Sequence, residues 1–392
     1  MSVVDGWRLG RTIGQGSFAV VREARRVDDS SAPVAAVKIF DDVFASLEKM
    51  QGIHGEIMLL ESLHGTPHCA KLIDVVCDDP NSKVYVFMEL AGRELTGMIE
   101  QAPGGMDEAT VRTIFRQLVD AVGHLHKMSV VHRDIKPGNV LVRTDGAGLH
   151  ATLVDFGLAA VSNASQERST VCGSVSFLPP EIAAAAEEGG CTAKHDRSVD
   201  VWSAGVLLFA MLTGRLPFNP GMGQLPPQEE LARIVDGEFH VPRSVPKAAA
   251  ALLKGMLAPP GARISLAQVS EHPWLHNKPL KNNLNHSLKN KNNSRAGLLI
   301  LANSLKTEQR GAPSAGLQCG QGCFRRPRRG RAQSAYGDEQ LRQSAIASMT
   351  KSFNSKIPST SPGGYALETP ARWISDYRGG GRPRNGRRVR LN

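Results

Sequence analysis

One run of eleven residues, at positions 132–142, constrains this chain more than any other part of its sequence; it reads HRDIKPGNVLV. Asp134 supplies a carboxylate that can accept or orient the proton of an attacking hydroxyl group. Lys136 lies two positions further on, and its ammonium group can stabilise charge on a phosphoryl group. Asn139 supplies an amide oxygen, a type of ligand that Mg2+ accepts. The run therefore predicts a loop that combines proton handling, charge stabilisation and metal binding, followed by a short buried strand.

A pair of glycines, Gly14 and Gly16, lies between strand-forming residues near the N-terminus. Because glycine has no side chain, backbone N–H groups there can approach phosphate oxygens. The alternatives are an ordinary hairpin turn or a dinucleotide fingerprint, which would need a helix directly after the glycines. β-branched residues continue the strand instead, and Lys38 follows in an otherwise apolar strand. This pattern favours a glycine-rich hairpin over a nucleotide, with Lys38 as a phosphate ligand rather than an edge-strand charge.

A lysine in such a place needs an acidic partner, and residues 54–63 supply two candidates, Glu56 and Glu61. Apolar residues recur there at helical spacing, which predicts a helix. A longer helix is predicted from about Asp107 to His126, where an aspartate provides the capping signal. Further on, the run LVDFG at positions 153–157 predicts a strand that ends in a carboxylate.

The order and spacing of these motifs resemble those of eukaryotic protein kinases. Lys136 and Ser174 match the serine/threonine type, and the triplets CGS at 172–174 and HPW at 272–274 lean toward the calcium/calmodulin-dependent or energy-sensing kinase groups. The fold implied is an α+β, two-lobed protein-kinase-like fold with a largely disordered basic C-terminal tail. Its implied parts are a β-rich N-lobe at 7–90, a helical C-lobe at 91–275 and a low-complexity tail at 276–392, which is a candidate regulatory segment.

The resemblance implies an ATP-dependent serine/threonine kinase that acts on protein substrates. Asp134, Lys136, Lys38 and Glu56 are the implied catalytic residues, and Glu61 is then a solvated charge. Asn139 and Asp155 are the implied ligands of Mg2+. The implied ATP contacts are Ile13, Gly14, Gln15, Gly16, Ser17, Phe18, Ala19, Val21, Ala36, Lys38, Met88, Glu89, Ala91, Glu94 and Leu141. Ala19 stands where a third glycine is common in this family.

The activation segment is expected to carry the regulation. By resemblance, Thr170 aligns with the usual phosphosite and Ser169 is the runner-up, with an upstream kinase as the implied partner. A phosphate there could form charge-assisted hydrogen bonds with Arg133. The alternative is that Thr170 is an unmodified loop hydroxyl.

Substrate preference is weakly encoded. Basophilic kinases often have carboxylates where this chain has Gly138 and Ala210, so a weak preference for arginine two residues before the target is expected. Glu94 could favour arginine one place earlier, or could contact ribose.

Two structural contacts are also expected from the resemblance. Glu181 follows a run in which Pro179 replaces the usual alanine, and it should form a buried ion pair with Arg263. Asp200 should hydrogen-bond to the backbone of the catalytic loop.

Charge is distributed unevenly along the chain. The net charge is +10, but residues 276–392 contain 22 Lys and Arg against 5 Asp and Glu, which is +17 and leaves −7 for the first 275 residues. The tail is therefore a candidate for binding calmodulin, an anionic membrane or nucleic acid, through residues 325–331 or a basic amphipathic helix at 340–353. A solvated tail is at least as compatible with the sequence.

Scattered cysteines and the lack of a secretory signal or an 18-residue apolar run predict a cytoplasmic or nuclear protein without a transmembrane segment. Two rival functions remain open at this point. One is a pseudokinase scaffold, and the other is a protein whose main task is carried by the tail.

Overall fold

The computed structural model describes residues 2–16, 19–161, 169–170, 172–187, 192–193, 196–219, 225–277 and 387–389. Within these ranges the strands, in chain order, are β1 (Val3–Val4), β2 (Trp7–Gln15), β3 (Val20–Arg26), β4 (Ala35–Phe40), β5 (Leu72–Asp78), β6 (Lys83–Glu89), β7 (Arg93–Glu94), β8 (Val130–Val131), β9 (Val140–Asp145), β10 (Gly148–Leu153), β11 (Ala160–Val161), β12 (Ser169–Thr170), β13 (Thr192–Ala193) and β14 (Arg387–Val389). The helices are α1 (Leu47–Ser62), α2 (Leu95–Glu100), α3 (Glu108–Lys127), α4 (Pro180–Glu187), α5 (Ser198–Thr213), α6 (Pro227–Asp236), α7 (Lys247–Met256) and α8 (Leu266–Ser270).

The N-terminal lobe is an antiparallel sheet with one long helix. Its strand order is β1-β2-β3-β4-β6-β5-β14. Apolar side chains alternate along the strands and fill both faces of the sheet. On one face Ile53 and Leu60 of α1 join a core with Val75 and Val86. On the other face the rings of Trp7 and Phe87 stack at 4.5 Å.

Helix α1 begins well before the helix predicted at residues 54–63. Ser46 caps it, because its hydroxyl accepts a hydrogen bond from the Lys49 N–H at 3.1 Å. The first half of α1 was not predicted because Gly52 and Gly55 interrupt the apolar pattern. Helix α3, in contrast, begins after its expected cap: the Asp107 carboxylate accepts from the Thr110 N–H at 2.9 Å.

The C-terminal lobe packs its helices around α5, which is apolar on all sides. Fifteen of the sixteen residues of α5 are buried, as expected for a helix enclosed by others. The amphipathic helix α3 turns its apolar face toward this core. The hairpin of β9 and β10, joined by β7, directly follows the residues of the catalytic loop in the chain.

This architecture confirms the predicted fold class, a β-rich lobe followed by a helical lobe. The prediction of a disordered tail falls on residues outside the described ranges, apart from positions 387–389. Those three residues form β14 and pair with β5, a contact that the sequence did not predict.

Candidate active site

The carboxylate of Asp134 is held from two sides in the catalytic loop. Its Oδ1 accepts hydrogen bonds from the backbone N–H and the hydroxyl of Ser174, both at 3.1 Å. Its Oδ2 accepts from the Asn139 amide at 2.9 Å and lies 2.7 Å from the ammonium of Lys136. Lys136 also donates to the Ser174 hydroxyl at 3.0 Å. The polar groups of the loop therefore share one small cluster with the activation segment.

Asp200, at the start of α5, fixes the backbone of this loop. Its carboxylate is fully buried and accepts hydrogen bonds from the N–H groups of His132 and Arg133, both at 2.9 Å. Nε2 of His126 lies 2.8 Å from the same carboxylate. Burial alone would raise the pKa of Asp200, but these partners, led by His126, hold it below its ordinary value. Arg133 has a φ of 68°, a left-handed conformation that these two backbone contacts help to maintain.

The contact of Asp200 with the loop was expected, but the contact with His126 was not. His126 lies in the last turn of α3, and its sequence neighbourhood gives no signal of a buried carboxylate across the lobe. The expected pair of Glu181 and Arg263 is bidentate, with distances of 2.8 and 2.9 Å. It joins α4 to the loop that precedes α8.

Lys38, on β4, joins two carboxylates from different parts of the chain. Its ammonium lies 2.6 Å from Glu56 of α1 and 2.8 Å from Asp155. Burial lowers the pKa of Lys38, but the two carboxylates outweigh this effect and raise it above its ordinary value. For Asp155, burial by itself raises the pKa. The neighbouring charge of Lys38 outweighs this effect, and the pKa of Asp155 lies below its ordinary value. For Glu56, which is 6% exposed, the effect of burial exceeds that of the Lys38 charge, and the pKa is raised.

Asp155 and Asn139 present oxygen atoms that fit a magnesium ion. Asn139 uses its Nδ2 for the hydrogen bonds to Asp134, so its Oδ1 is the atom left to act as a ligand. The Asp155 side chain is 46% exposed, and only its Oδ1 contacts Lys38. Mg2+ prefers such oxygen donors and usually keeps phosphate and water ligands too. In the described part of the chain, no group of three or more His, Cys, Asp and Glu side chains could hold a metal by itself.

Phe156 helps to orient Asp155. Its ring is 2% exposed and packs edge-on against His132, with 5.4 Å between the ring centroids. Asp155 itself has a φ of 64°, which turns its carboxylate away from the buried phenyl ring and toward Lys38. Burial holds the pKa of His132 below its ordinary value, so this ring is neutral at physiological pH.

The predicted glycine-rich hairpin is formed by β2 and β3. The Gly16 N–H donates to the Ala19 carbonyl at 2.9 Å and closes the turn. A Cβ at Gly14 would lie 3.6 Å from the Val21 side chain, an ordinary van der Waals contact across the hairpin. Ser17 and Phe18, two of the predicted ATP contacts, lie outside the described residues.

The predicted apolar ATP contacts lie on strands of the N-terminal sheet and on β9. Ala36 is buried on β4, while Val21, Met88 and Leu141 are partly buried on β3, β6 and β9. Ile13 is an exposed apolar side chain on β2. Contact of these side chains with ATP stays a prediction.

Ala91, another of the predicted ATP contacts, follows β6. Among the described residues, its backbone N–H and C=O have no hydrogen-bond partner, so they are available to a ligand. The Glu89 carboxylate, in contrast, is engaged by Lys71 at 3.0 Å and Arg143 at 2.9 Å. Gly92 follows with a φ of 134°, and a Cβ there would lie 2.3 Å from the Val142 carbonyl oxygen. Only glycine fits that position.

The predicted regulatory residues are only partly described. Ser169 and Thr170 form β12 and pair through their backbone with β13. Their side chains lie outside the description. Nε of Arg133 donates to the Leu158 carbonyl at 2.6 Å, which places its guanidinium beside the start of the activation segment.

Glu94 lies next to the catalytic loop. A Cβ at Gly138 would be 3.7 Å from Oε2 of Glu94, so the two positions are neighbours. Ala210, the other expected position for a second acid, is 1% exposed within α5.

Comparison with known proteins agrees with this geometry. A β-rich lobe and a helical lobe, with Lys38 and Asp134 between them, define the protein kinase class. A family model of the protein kinase domain matches residues 7–275, more than two-thirds of the chain. The chain therefore belongs to the protein kinase family.

Several curated proteins are similar to it. CBL-interacting protein kinase 20 of Oryza sativa subsp. japonica is 35% identical over 282 residues, 69% of this chain and 58% of the relative. SNF1-related protein kinase catalytic subunit alpha KIN12 of Arabidopsis thaliana is 33% identical, over 71% of this chain and 53% of the relative. The SNF-related serine/threonine-protein kinase of Homo sapiens is 33% identical, over 68% of this chain and 33% of the relative. The chain thus spans less than two-thirds of each relative's length.

These relatives confirm the expected resemblance to serine/threonine kinases of the energy-sensing groups. No helix in the described ranges is long and apolar enough to cross a bilayer.

Proposed function

We propose that this protein is an ATP-dependent serine/threonine protein kinase. The observation that carries the proposal is the position of Lys38 between Glu56 and Asp155, in the same molecule as the Asp134 cluster. A lysine held in this way can bind the phosphates of ATP, while Asp134 receives the substrate hydroxyl. The hydroxyl oxygen attacks the γ-phosphorus, the bond to the β–γ bridging oxygen breaks, and ADP leaves.

Each residue has one part in this reaction. Asp134 orients the hydroxyl and accepts its proton, and Lys136 stabilises negative charge on the phosphoryl oxygens. Asn139 and Asp155 would hold Mg2+, which neutralises charge on the phosphates when it is bound. Positioning and electrostatics supply the rate enhancement, because the protein itself forms no covalent bond with phosphate.

Serine or threonine is the proposed acceptor rather than tyrosine. Lys136 reaches across to Ser174, at 3.0 Å, and both lie against the carboxylate that receives the hydroxyl. By resemblance, this combination of lysine and serine is typical of kinases that act on serine and threonine.

Phosphate transfer is tested by incubating the purified chain with γ-labelled ATP, Mg2+ and a degenerate Ser/Thr peptide library. The proposal expects label on serine and threonine and its loss in Asp155→Ala. A chain that binds ATP but labels no peptide or protein, even after treatment with an activating kinase, would instead support the rival scaffold function.

Regulation by an upstream kinase is part of the proposal. A phosphate on Thr170, or on Ser169 as the alternative, would add about −1.5 to −2 charge near Arg133 and order the activation segment. Thr170→Ala should abolish activation by an activating kinase, and Ser169→Ala is the matched control. If Thr170→Ala were still activated, the phosphosite would lie at another residue, or phosphorylation of this segment would not control activity.

The proposed substrate preference follows from Glu94 and Gly138. Basophilic kinases often have several carboxylates in this region, whereas this chain has one, that of Glu94. Arginine two residues before the target should therefore be only weakly preferred. Arginine three residues before it remains a candidate partner of Glu94. A peptide array dominated by arginine at the nearer position would contradict this assignment.

The basic tail and the cellular location remain proposals as well. Calmodulin, an anionic membrane and nucleic acid are the candidate partners of the tail, residues 276–392. We place the protein in the cytoplasm or nucleus, where ATP is abundant and cysteine thiols such as those of Cys69 and Cys172 stay reduced.

A further inference from the structure

The outer edge of β5 carries a strand from the far end of the chain. Residues Arg387–Val389 pair with it antiparallel, with Arg387 opposite Cys77, Arg388 opposite Val76 and Val389 opposite Val75. We propose that this edge is a strand-addition site and that its occupant is Arg387–Val389 of the same chain. Nothing in the proposed catalytic function requires this contact, and its test does not depend on catalysis.

The local structure of β5 suits an added strand. On its inner side β5 pairs with β6, with a register irregularity between Leu72 and Asp74 and a regular ladder from Asp74 to Asp78. The regular part is the part that faces β14. An edge strand exposes unpaired N–H and C=O groups, and proteins commonly protect such edges with proline or lysine. Residues 72–78 contain neither, and Val75 and Val76 are β-branched residues that favour extended backbone.

Charge favours the same occupant. Residues 382–392 contain five arginines and no acidic residue, whereas β5 contains Asp74 and Asp78 and is followed by Asp79. The first 275 residues as a whole carry a net charge of −7, so the C-terminal segment is attracted to the domain it pairs with. Backbone pairing then supplies the register that charge alone cannot specify.

The connecting chain is long enough for the contact to form within one molecule. Residues 278–386 separate the end of the kinase domain from β14. A flexible linker of that length would span about 60 Å. Tethering of this kind gives effective concentrations that can approach the millimolar range, so the segment should bind its own sheet before that of another molecule.

The contact lies next to an element of the active site. Val75 of β5 and Ile53 and Leu60 of α1 belong to the same buried core, and α1 carries Glu56. A strand added to the edge of β5 therefore stabilises the sheet against which this helix packs.

Hydrogen–deuterium exchange tests the proposal on the full chain. Peptides that cover residues 72–78 should exchange at least tenfold more slowly in the full chain than in a variant that ends at Arg382. Adding a synthetic peptide of residues 383–392 to the truncated protein should restore the protection. A scrambled peptide with the same composition, and therefore the same four arginines in a different order, should not restore it. Equal protection by both peptides would overturn strand pairing in favour of simple charge attraction.

Proline substitutions supply the matched variants. Neighbouring amides of a strand point to opposite sides, so the double variant Arg388→Pro and Val389→Pro removes at least one donor that faces β5. It should lose the protection, whereas Gly379→Pro with Gly380→Pro, outside the paired residues, should keep it. Equal exchange in all four proteins would overturn the proposal. Protection that rises with protein concentration would also overturn it, because the occupant would then be a second copy.

Discussion

Lys38 is the single cation between Glu56 and Asp155 in the described cleft, with a side chain 14% exposed. Lys38→Met should lower kcat/KM for ATP by at least about 100-fold, because both the phosphate contact and the helix contact are lost. Lys254→Met, on the exposed side of α7, is the control and should retain activity. Steady-state kinetics on the two variants measure the difference, and near-normal kinetics in Lys38→Met would remove this residue from the site.

The same variant should change how stability depends on pH. Burial already raises the pKa of Glu56, and removing Lys38 raises it further. An acid with a raised pKa in the folded state stabilises the fold below its unfolded pKa, and this contribution is lost as pH rises through the folded pKa. Urea unfolding should therefore show a larger deficit relative to wild type at pH 8 than at pH 5. A deficit that is constant or larger at pH 5 would contradict the assignment of Glu56 as the buried partner.

Gly138 tests the origin of substrate preference. The Cβ of a residue placed there makes only ordinary contacts, with Glu94 at 3.7 Å and Thr96 at 3.9 Å. Gly138→Glu should therefore fold normally and create a pair of carboxylates, raising kcat/KM for a peptide with arginine two residues before the target by roughly tenfold over its alanine counterpart. Gly138→Gln has the same size without the charge and should leave the ratio unchanged. A gain in the glutamine variant as well would show that the effect is not electrostatic.

The structure places the sequence-predicted polar residues of the catalytic loop, including Asp134, Lys136 and Asn139, in one cluster. Their spacing within one loop made this possible to predict, because a short loop leaves few arrangements. The partner of a buried residue from another element was harder to foresee. His126 beside Asp200 and Arg143 beside Glu89 become neighbours only when the helices and hairpins pack.

At the scale of elements, α1 is the helix whose formation matters most to the cleft. Two glycines in its middle weaken it, and a Cβ at Gly52 or Gly55 meets no atom within 4 Å. Gly52→Ala and Gly55→Ala should each stabilise the protein by about 0.5–1 kcal/mol in urea unfolding. Both variants should keep their activity, because the helix still places Glu56 beside Lys38.

Gly205 of α5 is the matched control for these substitutions. A Cβ there would lie 2.9 Å from that of Met256, so Gly205→Ala should destabilise the protein by about 1–3 kcal/mol. If the α1 variants were destabilised to the same extent, α1 would not be helical through its glycines.

Elements with a strong local pattern could be predicted from sequence, and elements that depend on a distant partner could not. The apolar period and aspartate cap of α3 predicted it within a residue or two. The start of α1 was missed because its glycines break the pattern. The pairing of β14 with β5 had no local signal, since Arg387–Val389 has no alternation of apolar and polar residues and its partner lies about 310 positions away.

For the whole molecule, the distribution of charge is the main unexplained property. Removing residues 278–392 changes the net charge from +10 to −7. The full chain should bind vesicles that contain phosphatidylserine at low salt, and the binding should weaken as ionic strength rises. The truncated protein should not bind. Cosedimentation measures both, and equal binding by the two proteins would show that the tail is not the attractive surface.

Phosphoryl transfer in the cleft is tested most directly by Asp134→Asn, since asparagine keeps the size of the side chain but cannot accept the hydroxyl proton. The measurement is steady-state transfer from ATP to a Ser/Thr peptide, together with nucleotide affinity, for wild type and variant. The predicted result is a fall in kcat of about 10²–10⁴-fold with nucleotide affinity within a few-fold of wild type. Equal kcat in the two proteins, or no transfer by wild type that binds ATP normally, would contradict the assignment of this cleft as a kinase active site.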